Sequence, residues 1–369
     1  MYKSVETLLV EIPTIRPHKM AVATMQTQTL VLVKITAEDG LAGWGEATTI
    51  GGLGYGEESP ESVKANIETY FAPLLKSLKG LNVAQTMQAI KRNINGNRFA
   101  KCAVQTALLD IQAKRLGQPL SEVLGGRLRN SIPVLWVLAS GDTGKDIAEA
   151  QKMIAAQRHN IFKLKIGSRA VEADVEHVLA IKQALGKDIS IRVDVNRAWS
   201  ELEAVKGISL LQNGGVDLIE QPCAIDNIDA MERLTRKFDI AIMADESLMG
   251  PHSAYHLAKR NAASVFAVKV AQSGGLIEGC EVGKIAKLAG IDLYGGTMLE
   301  GPVGTIASAH AFSTFESLAY GTELFGPLLL TEEILKTPLQ YRNFELAVPK
   351  QAGLGIELDE DKLDNLRRS

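Results

Sequence analysis

From about Ser131 to Gly326 the chain repeats one unit: a short, almost wholly apolar run followed by an amphipathic helical pattern. The runs are Pro133–Ala139, Ile161–Ile166, Ile189–Val195, Leu218–Gln221, Ala241–Asp245, Val265–Val270 and Leu293–Met298, with a weaker eighth at Leu318–Leu324. Strands buried on both faces read as continuous apolar runs, and helices between them force parallel pairing. A unit of roughly 25–30 residues fits a closed β/α barrel. An open doubly wound sheet is the competing arrangement, but no G-x-G-x-x-G follows a strand. In GGLGYGEES, at Gly51–Ser59, Glu57 stands where the last glycine would be needed. There is no G-x-x-x-x-G-K-[ST] either.

The first third has a different texture. Val5–Ile12 and Leu30–Ile35 read as strands, and Glu38-Asp39-Gly40 supplies a turn before a third, Ala42–Thr48. Helical patterns follow at Pro60–Leu78, with Ser59 as N-cap, and at Ala100–Leu116, ending at Gly117. We therefore expect three segments: an α+β domain over 1–130, the barrel over 131–326, and a C-terminal segment over 327–369 that packs back on the first domain.

Composition narrows the function classes. A net charge of −3 without blocks of like charge argues against nucleic acid, and no apolar run is long enough to cross a bilayer. The N-terminus, MYKSVETLLVEIPT, alternates like a strand and lacks a signal-peptide pattern. Cys102, Cys223 and Cys280 are far apart and form no C-x-x-C, as core thiols of a reducing compartment would. The expectation is a cytoplasmic protein.

Barrel active sites are built where strands end. Consecutive expected strands end in Lys163-Leu164-Lys165, in Asp194 of RVDVN, in Glu220 of IEQP, in Asp245 of ADES and in Lys269 of AVKV. Asp194, Glu220 and Asp245 are one barrel unit apart, so adjacent strands present them at one rim. Any one such acid could simply cap the next helix. Three in register cannot be held together without a cation, and a hard, oxygen-seeking ion such as Mg²⁺ or Mn²⁺ suits them. Lys163 and Lys165, two apart on a strand, share a face. With Phe162 and Leu164 on the helix side, that face is the barrel interior, where desolvation beside other cations should lower a lysine's pKa toward that of a general base. Structural salt bridges to the acids are the alternative for the pair. Lys269 faces them across the barrel, as a second proton carrier or as a counter-ion to Asp245. A metal on a carboxylate substrate and a lysine beside it together support one reaction type, formation and reprotonation of an enolate; enolase-type sites that combine a lysine base with Mg²⁺ are a known case.

The set KLK, DVN, IEQP, ADES, AVKV and GGTMLEG, with TIGGLGYGEESP near residue 50, resembles the muconate-lactonizing branch of the enolase superfamily over essentially the whole chain. The resemblance implies a modified TIM-type (β/α)7β barrel with an N-terminal α+β capping domain completed by the C-terminal segment. It implies Mn²⁺ or Mg²⁺ on Asp194, Glu220 and Asp245, Lys165 as acid/base, Lys163 lowering its pKa, Lys269 on the opposite face and Glu323 of YGTELFG near the substrate. Ile50, Tyr55, Thr297 and Phe325 would be substrate contacts, with Ile50 and Phe325 of the plain muconate kind rather than the chloromuconate kind. The implied reaction, in catechol catabolism, is syn addition of one carboxylate of cis,cis-muconate to a double bond, giving a metal-stabilised enolate that Lys165 protonates to muconolactone. Metal, acids and lysines would leave about +2 for a dicarboxylate if Glu323 is neutral. Large homo-oligomers such as octamers are also implied.

Ile15–Ala21 (IRPHKMA) and the glycine-rich Thr48–Glu57 read as lids. The six histidines show no ligand spacing on one face; His252 and His256 fall on an outer helix. The same machinery would also serve a chloromuconate substrate, formation of o-succinylbenzoate, or epimerisation of N-acylamino acids or dipeptides. A non-catalytic barrel with a structural metal would need no internal lysines.

Overall fold

The computed structural model describes residues 2–19 and 24–368. Three antiparallel strands come first, β1 (Tyr2–Lys19), β2 (Thr24–Ala37) and β3 (Ala42–Thr48), in the order β1-β2-β3. The first two are longer than the apolar pattern suggests. Pro13 and Pro17 discourage a strand in sequence, but β1 is an edge strand, where a residue without an N–H does not break the ladder. The register slips between Pro13 and His18 and then resumes, with Lys19 opposite Thr24. So Ile15–Lys19, expected as a loop, is strand, while Met20 and Ala21 lie outside the described residues.

The Arg98–Arg115 helix lies flush on β3. Two glycines permit this: a Cβ on Gly45 would sit 1.9 Å from the Ala103 carbonyl oxygen, and one on Gly43 would sit 2.1 Å from that of Ala107. Between them, Pro60–Asn66, Ile67–Phe71 and Ala72–Ser77 form a rod with a central π turn, opened by a reciprocal Ser59–Ser62 capping box.

The strand expected at Pro133–Ala139 divides. β4 (Ser131–Pro133) pairs with β13 (Glu345–Ala347), which pairs in turn with β12 (Tyr341–Arg342). The barrel begins at β5 (Trp136–Leu138). It continues through β6 (Ile161–Lys165), β7 (Ser190–Asp194), β8 (Leu218–Glu220), β9 (Ala241–Ala244), β10 (Val265–Val268) and β11 (Asp292–Gly295), all parallel and in sequence order. The sheet curls until its two edges meet at one residue, since Thr322 bridges both Val134 and Gly295. Thr322 N–H donates to Pro133 (2.9 Å), Leu135 N–H to Thr322 (2.8 Å) and Glu323 N–H to Gly295 (2.9 Å). The expected eighth strand is thus a seam rather than a ladder; Gly321, at φ +62°, takes the chain out of extended geometry just before it.

The C-terminal residues run along the free edge of β1. Thr331 N–H donates to Pro13 at 3.0 Å and Arg368 N–H to Leu9 at 2.8 Å, which covers an otherwise unpaired edge. Among the described residues no helix is long and apolar enough to cross a membrane.

Candidate active site

Parallel pairing puts Lys165 opposite Asp194 and Asp194 opposite Glu220, all at strand ends, and Asp245 follows β9 directly. One carboxylate oxygen from each of Asp194, Glu220 and Asp245 lies within 4.8 Å of the others, and all three residues are buried. Lys163 and Lys165 both point into this cluster. Lys163 Nζ donates to Glu220 Oε2 at 2.7 Å and to Glu323, while Lys165 Nζ lies 2.5 Å from Asp194 Oδ2. Across the barrel, just after β10, Lys269 Nζ donates to Asp245 Oδ2 at 2.7 Å and to Tyr55 Oη at 2.6 Å. Tyr55 Oη donates to the same Asp245 oxygen at 2.7 Å, so the glycine-rich segment is folded inward onto the site.

Buried acids at this spacing repel one another, and burial alone disfavours their charge. At Glu220, burial and then Asp194 push the carboxyl well above the usual range, with Lys163 only partly offsetting them. At Asp194 burial is more than offset by Lys165 and Lys163, and the carboxyl stays below its ordinary value. Burial pulls Lys163 down, yet Glu220 and Glu323 raise it well above a normal lysine. Burial pulls Lys269 down as well, but Asp245, Glu323, Glu220 and Glu246 together raise it above a normal lysine. The expectation that desolvation beside other cations depresses the lysine pair therefore does not hold for Lys163, whose neighbouring carboxylates dominate, while Lys269 pairs with Asp245 as the counter-ion reading has it.

The acid cluster fits a divalent cation. Glu220 Oε1 and Asp245 Oδ1 are fully buried and have no hydrogen-bond partner among the described residues. Carboxylate oxygens are the donors that Mg²⁺ and Mn²⁺ prefer, and a divalent charge would relieve the repulsion that burial makes costly.

The remaining expected residues divide. Glu323 is buried between Lys163 and the Tyr294 hydroxyl, which donates to it at 2.5 Å. Phe325 is buried against Trp136, with ring centroids 5.2 Å apart. Ile50 is buried in the core, and the Thr297 hydroxyl is spent on Glu300, so neither makes a polar contact with the acid–lysine cluster. His252 and His256 are exposed on the Pro251–Arg260 helix.

Several site residues were not singled out in sequence. Asn196 Nδ2 bridges Asp194 and Glu246 at 3.2 Å each, and Arg197 Nε lies 3.3 Å from Glu246. Burial, together with Asp245 and Asp194, pushes Glu246 up to about 8. Gln221 Oε1 accepts from the Asp245 N–H at 3.0 Å, and Gln272 Nε2 donates to the Asp245 carbonyl at 2.8 Å. Only Asn196 carries a local signal, two residues past the acid it braces; Gln221 and Gln272 brace Asp245 from just past the neighbouring strands, which spacing alone does not reveal. Asn196, Arg197 and Gln221 also have positive φ (45°, 70° and 35°), a backbone strain that tends to collect at functional sites.

The chain is similar to known proteins over its whole length. Residues 4–125 match the family model described as mandelate racemase / muconate lactonizing enzyme, N-terminal domain, and residues 145–362 match that of the enolase C-terminal domain-like family. The chain is 75% identical, over the full length of both, to muconate cycloisomerase 1 of Acinetobacter baylyi. It is 42% identical to a chloromuconate cycloisomerase of Cupriavidus necator, covering 100% of this chain and 99% of that one. The crystal structure of a muconate lactonizing enzyme from Pseudomonas fluorescens complexed with muconolactone superposes with a TM-score of 0.98 at 54% identity, covering 100% of this chain and 99% of that one.

Proposed function

This chain belongs to the mandelate racemase / muconate lactonizing enzyme family, and from that premise we propose how its residues carry out the reaction it catalyses, the cycloisomerisation of cis,cis-muconate to muconolactone. The observation that carries the reading is the buried Asp194–Glu220–Asp245 triad with Lys165 touching its edge. Held by those three acids, Mn²⁺ or Mg²⁺ would supply the positive charge that stabilises an enolate.

The rest falls to the chain's own groups. One carboxylate of the substrate adds to C4, a C–O bond forms, and the electron pair of the C4–C5 double bond moves into the other carboxylate as an enolate. Lys165 then gives its Nζ proton to C5. Its place at the end of β6, beside the acids but not among them, suits a group that must face the carbon next to a bound carboxylate. Lys163 positions Glu220 and Glu323 through its two hydrogen bonds. Lys269, four staves from Lys165, adds positive charge on the opposite face, and Tyr55 closes that side against water. Ile50 and Phe325, both buried and apolar, are assigned as substrate contacts, with Thr297, whose hydroxyl is held by Glu300, beside them. One proton is consumed per turnover, because a dianion becomes a monoanion.

Muconate cycloisomerases at 52–75% identity are nearer than chloromuconate cycloisomerases at 40–42%, which supports the unchlorinated substrate. We further read the protein as a cytoplasmic homo-oligomer. Three buried free thiols suit a reducing compartment.

The test is the absorbance loss of cis,cis-muconate, run beside chloromuconates and N-acylamino acids, with and without chelator. Preferential, chelator-sensitive consumption of cis,cis-muconate is expected. A faster reaction with another of these acids, or a rate untouched by chelator, would overturn the reading.

A further inference from the structure

His18 is 1% exposed, whereas Pro17 and Lys19 on either side are exposed, so strand alternation turns its ring inward from β1. Inward here means toward the barrel mouth. Arg16, two residues back and so on the same face as His18, donates to the Val137 carbonyl of β5 at 2.9 Å, and Lys19, the residue after His18, borders a cleft of about 210 Å³ that Lys165 of β6 also lines, which places this end of β1 beside β6. The end of β1 is therefore docked over the rim of β5 and β6, on the side of Lys165 away from the acids of β7–β9.

Burial, and then the nearby charges of Lys165, Arg16 and Lys163, hold the imidazole well below its ordinary range, so it is neutral. A neutral imidazole offers one N–H and one acceptor nitrogen. Neither nitrogen of His18 has a partner among the described residues. The other deeply buried histidines differ: His159 Nδ1 lies 2.8 Å from the Val134 carbonyl, and His310 Nε2 lies 3.1 Å from that of Leu354. A buried polar ring with nothing to bond is unfavourable unless something else completes it.

We propose that His18 is a substrate-positioning residue whose ring N–H holds the carboxylate of cis,cis-muconate that becomes the lactone, and then the lactone carbonyl of the product. This rests on the reading above. The substrate carries a carboxylate at each end; with one at the acid triad and Lys165 addressing the carbon beside it, the other lies toward β5 and β6, where His18 waits. A neutral donor suits a group that starts as a carboxylate and ends as an uncharged ester, because it neither traps the anion nor repels the product.

The test compares His18→Leu, His18→Asn and His18→Gln in the metal-loaded enzyme. Loss of a hydrogen bond to a charged group should raise KM, and the inhibition constant of added muconolactone, by roughly ten- to a hundredfold in His18→Leu. Asn, with its amide near the Nδ1 position, or Gln, with its amide near Nε2, should restore a good part of this. Because Leu removes an unbonded polar ring, the ligand-free His18→Leu protein should melt no lower than wild type. Unchanged KM and product inhibition would overturn the proposal, as would a loss of binding accompanied by a lower melting temperature and no rescue by either amide. A Lys165→Ala control separates the two readings: it should lose turnover but still bind muconolactone, and retained turnover there would count against the function of Lys165 rather than against His18.

Discussion

Lys165 and the acids beside it are set up at the expense of stability. Lys165 Nζ sits 2.5 Å from Asp194, which is itself braced by the Asn196 N–H at 2.9 Å. Lys165→Ala should therefore cost turnover about a hundred- to ten-thousandfold, the usual weight of a positioned proton carrier. A rate within tenfold of wild type would show that another group delivers the proton. Glu220 illustrates the opposing demands, since burial and Asp194 disfavour its charge. In chelator-treated protein Glu220→Gln should melt no lower than wild type. Adding Mn²⁺ at about a hundred times its Kd should stabilise wild type by about 2.7 kcal/mol and leave the variant unmoved, as followed by thermal denaturation. The acids were legible because they recur one barrel unit apart. His18 and Tyr55's reach to Asp245 were not: both depend on where a distant segment folds back, which no local spacing encodes.

At the scale of elements, the domains are joined by a carboxylate at a helix start. Glu46 of β3 accepts from Gly301 and Gly304, the latter at 2.8 Å, at the N-terminus of the Pro302–Phe312 helix, and from the Thr48 hydroxyl at 2.7 Å. Burial, reinforced by Glu300, still pushes Glu46 from its ordinary 4.5 up to about 7 despite those donors. A raised carboxyl means that the folded protein keeps a proton the unfolded chain loses between those values, so stability falls as pH rises from about 4.5 through 7. The effect is on the order of 3 kcal/mol, and Glu46→Gln should flatten the melting temperature across that window. An unchanged slope would place the titration elsewhere. The seam at Thr322 gives a second element-scale expectation. A Cβ on Gly295 would lie 2.6 Å from both Phe312 and Thr322, so Gly295→Ala should destabilise by about 1–3 kcal/mol, measurable by urea unfolding. The seven paired strands could be read from their apolar runs. The eighth could not, because Thr322 closes the barrel through single bridges and leaves no strand-length pattern. The hairpin was under-read for the opposite reason: Pro13 and Pro17 look like breakers, but an edge strand tolerates them.

The whole molecule couples these parts into one site. The barrel supplies acids and lysines from adjacent staves, while the antiparallel domain reaches over the rim with Tyr55 on one side and His18 on the other. Fold class and the acid cluster were visible in sequence because both repeat with the barrel unit. Two lid segments were visible in sequence, but not what they close onto, because Tyr55 meets Asp245 across 190 residues of chain. The central claim is that the triad stabilises an enolate which Lys165 protonates. Turnover of cis,cis-muconate in deuterium oxide tests it most directly, with the muconolactone read by proton NMR. One deuterium is expected, on a single face of the carbon beside the free carboxylate. Product without solvent deuterium at that carbon, or with deuterium on both faces equally, would contradict it.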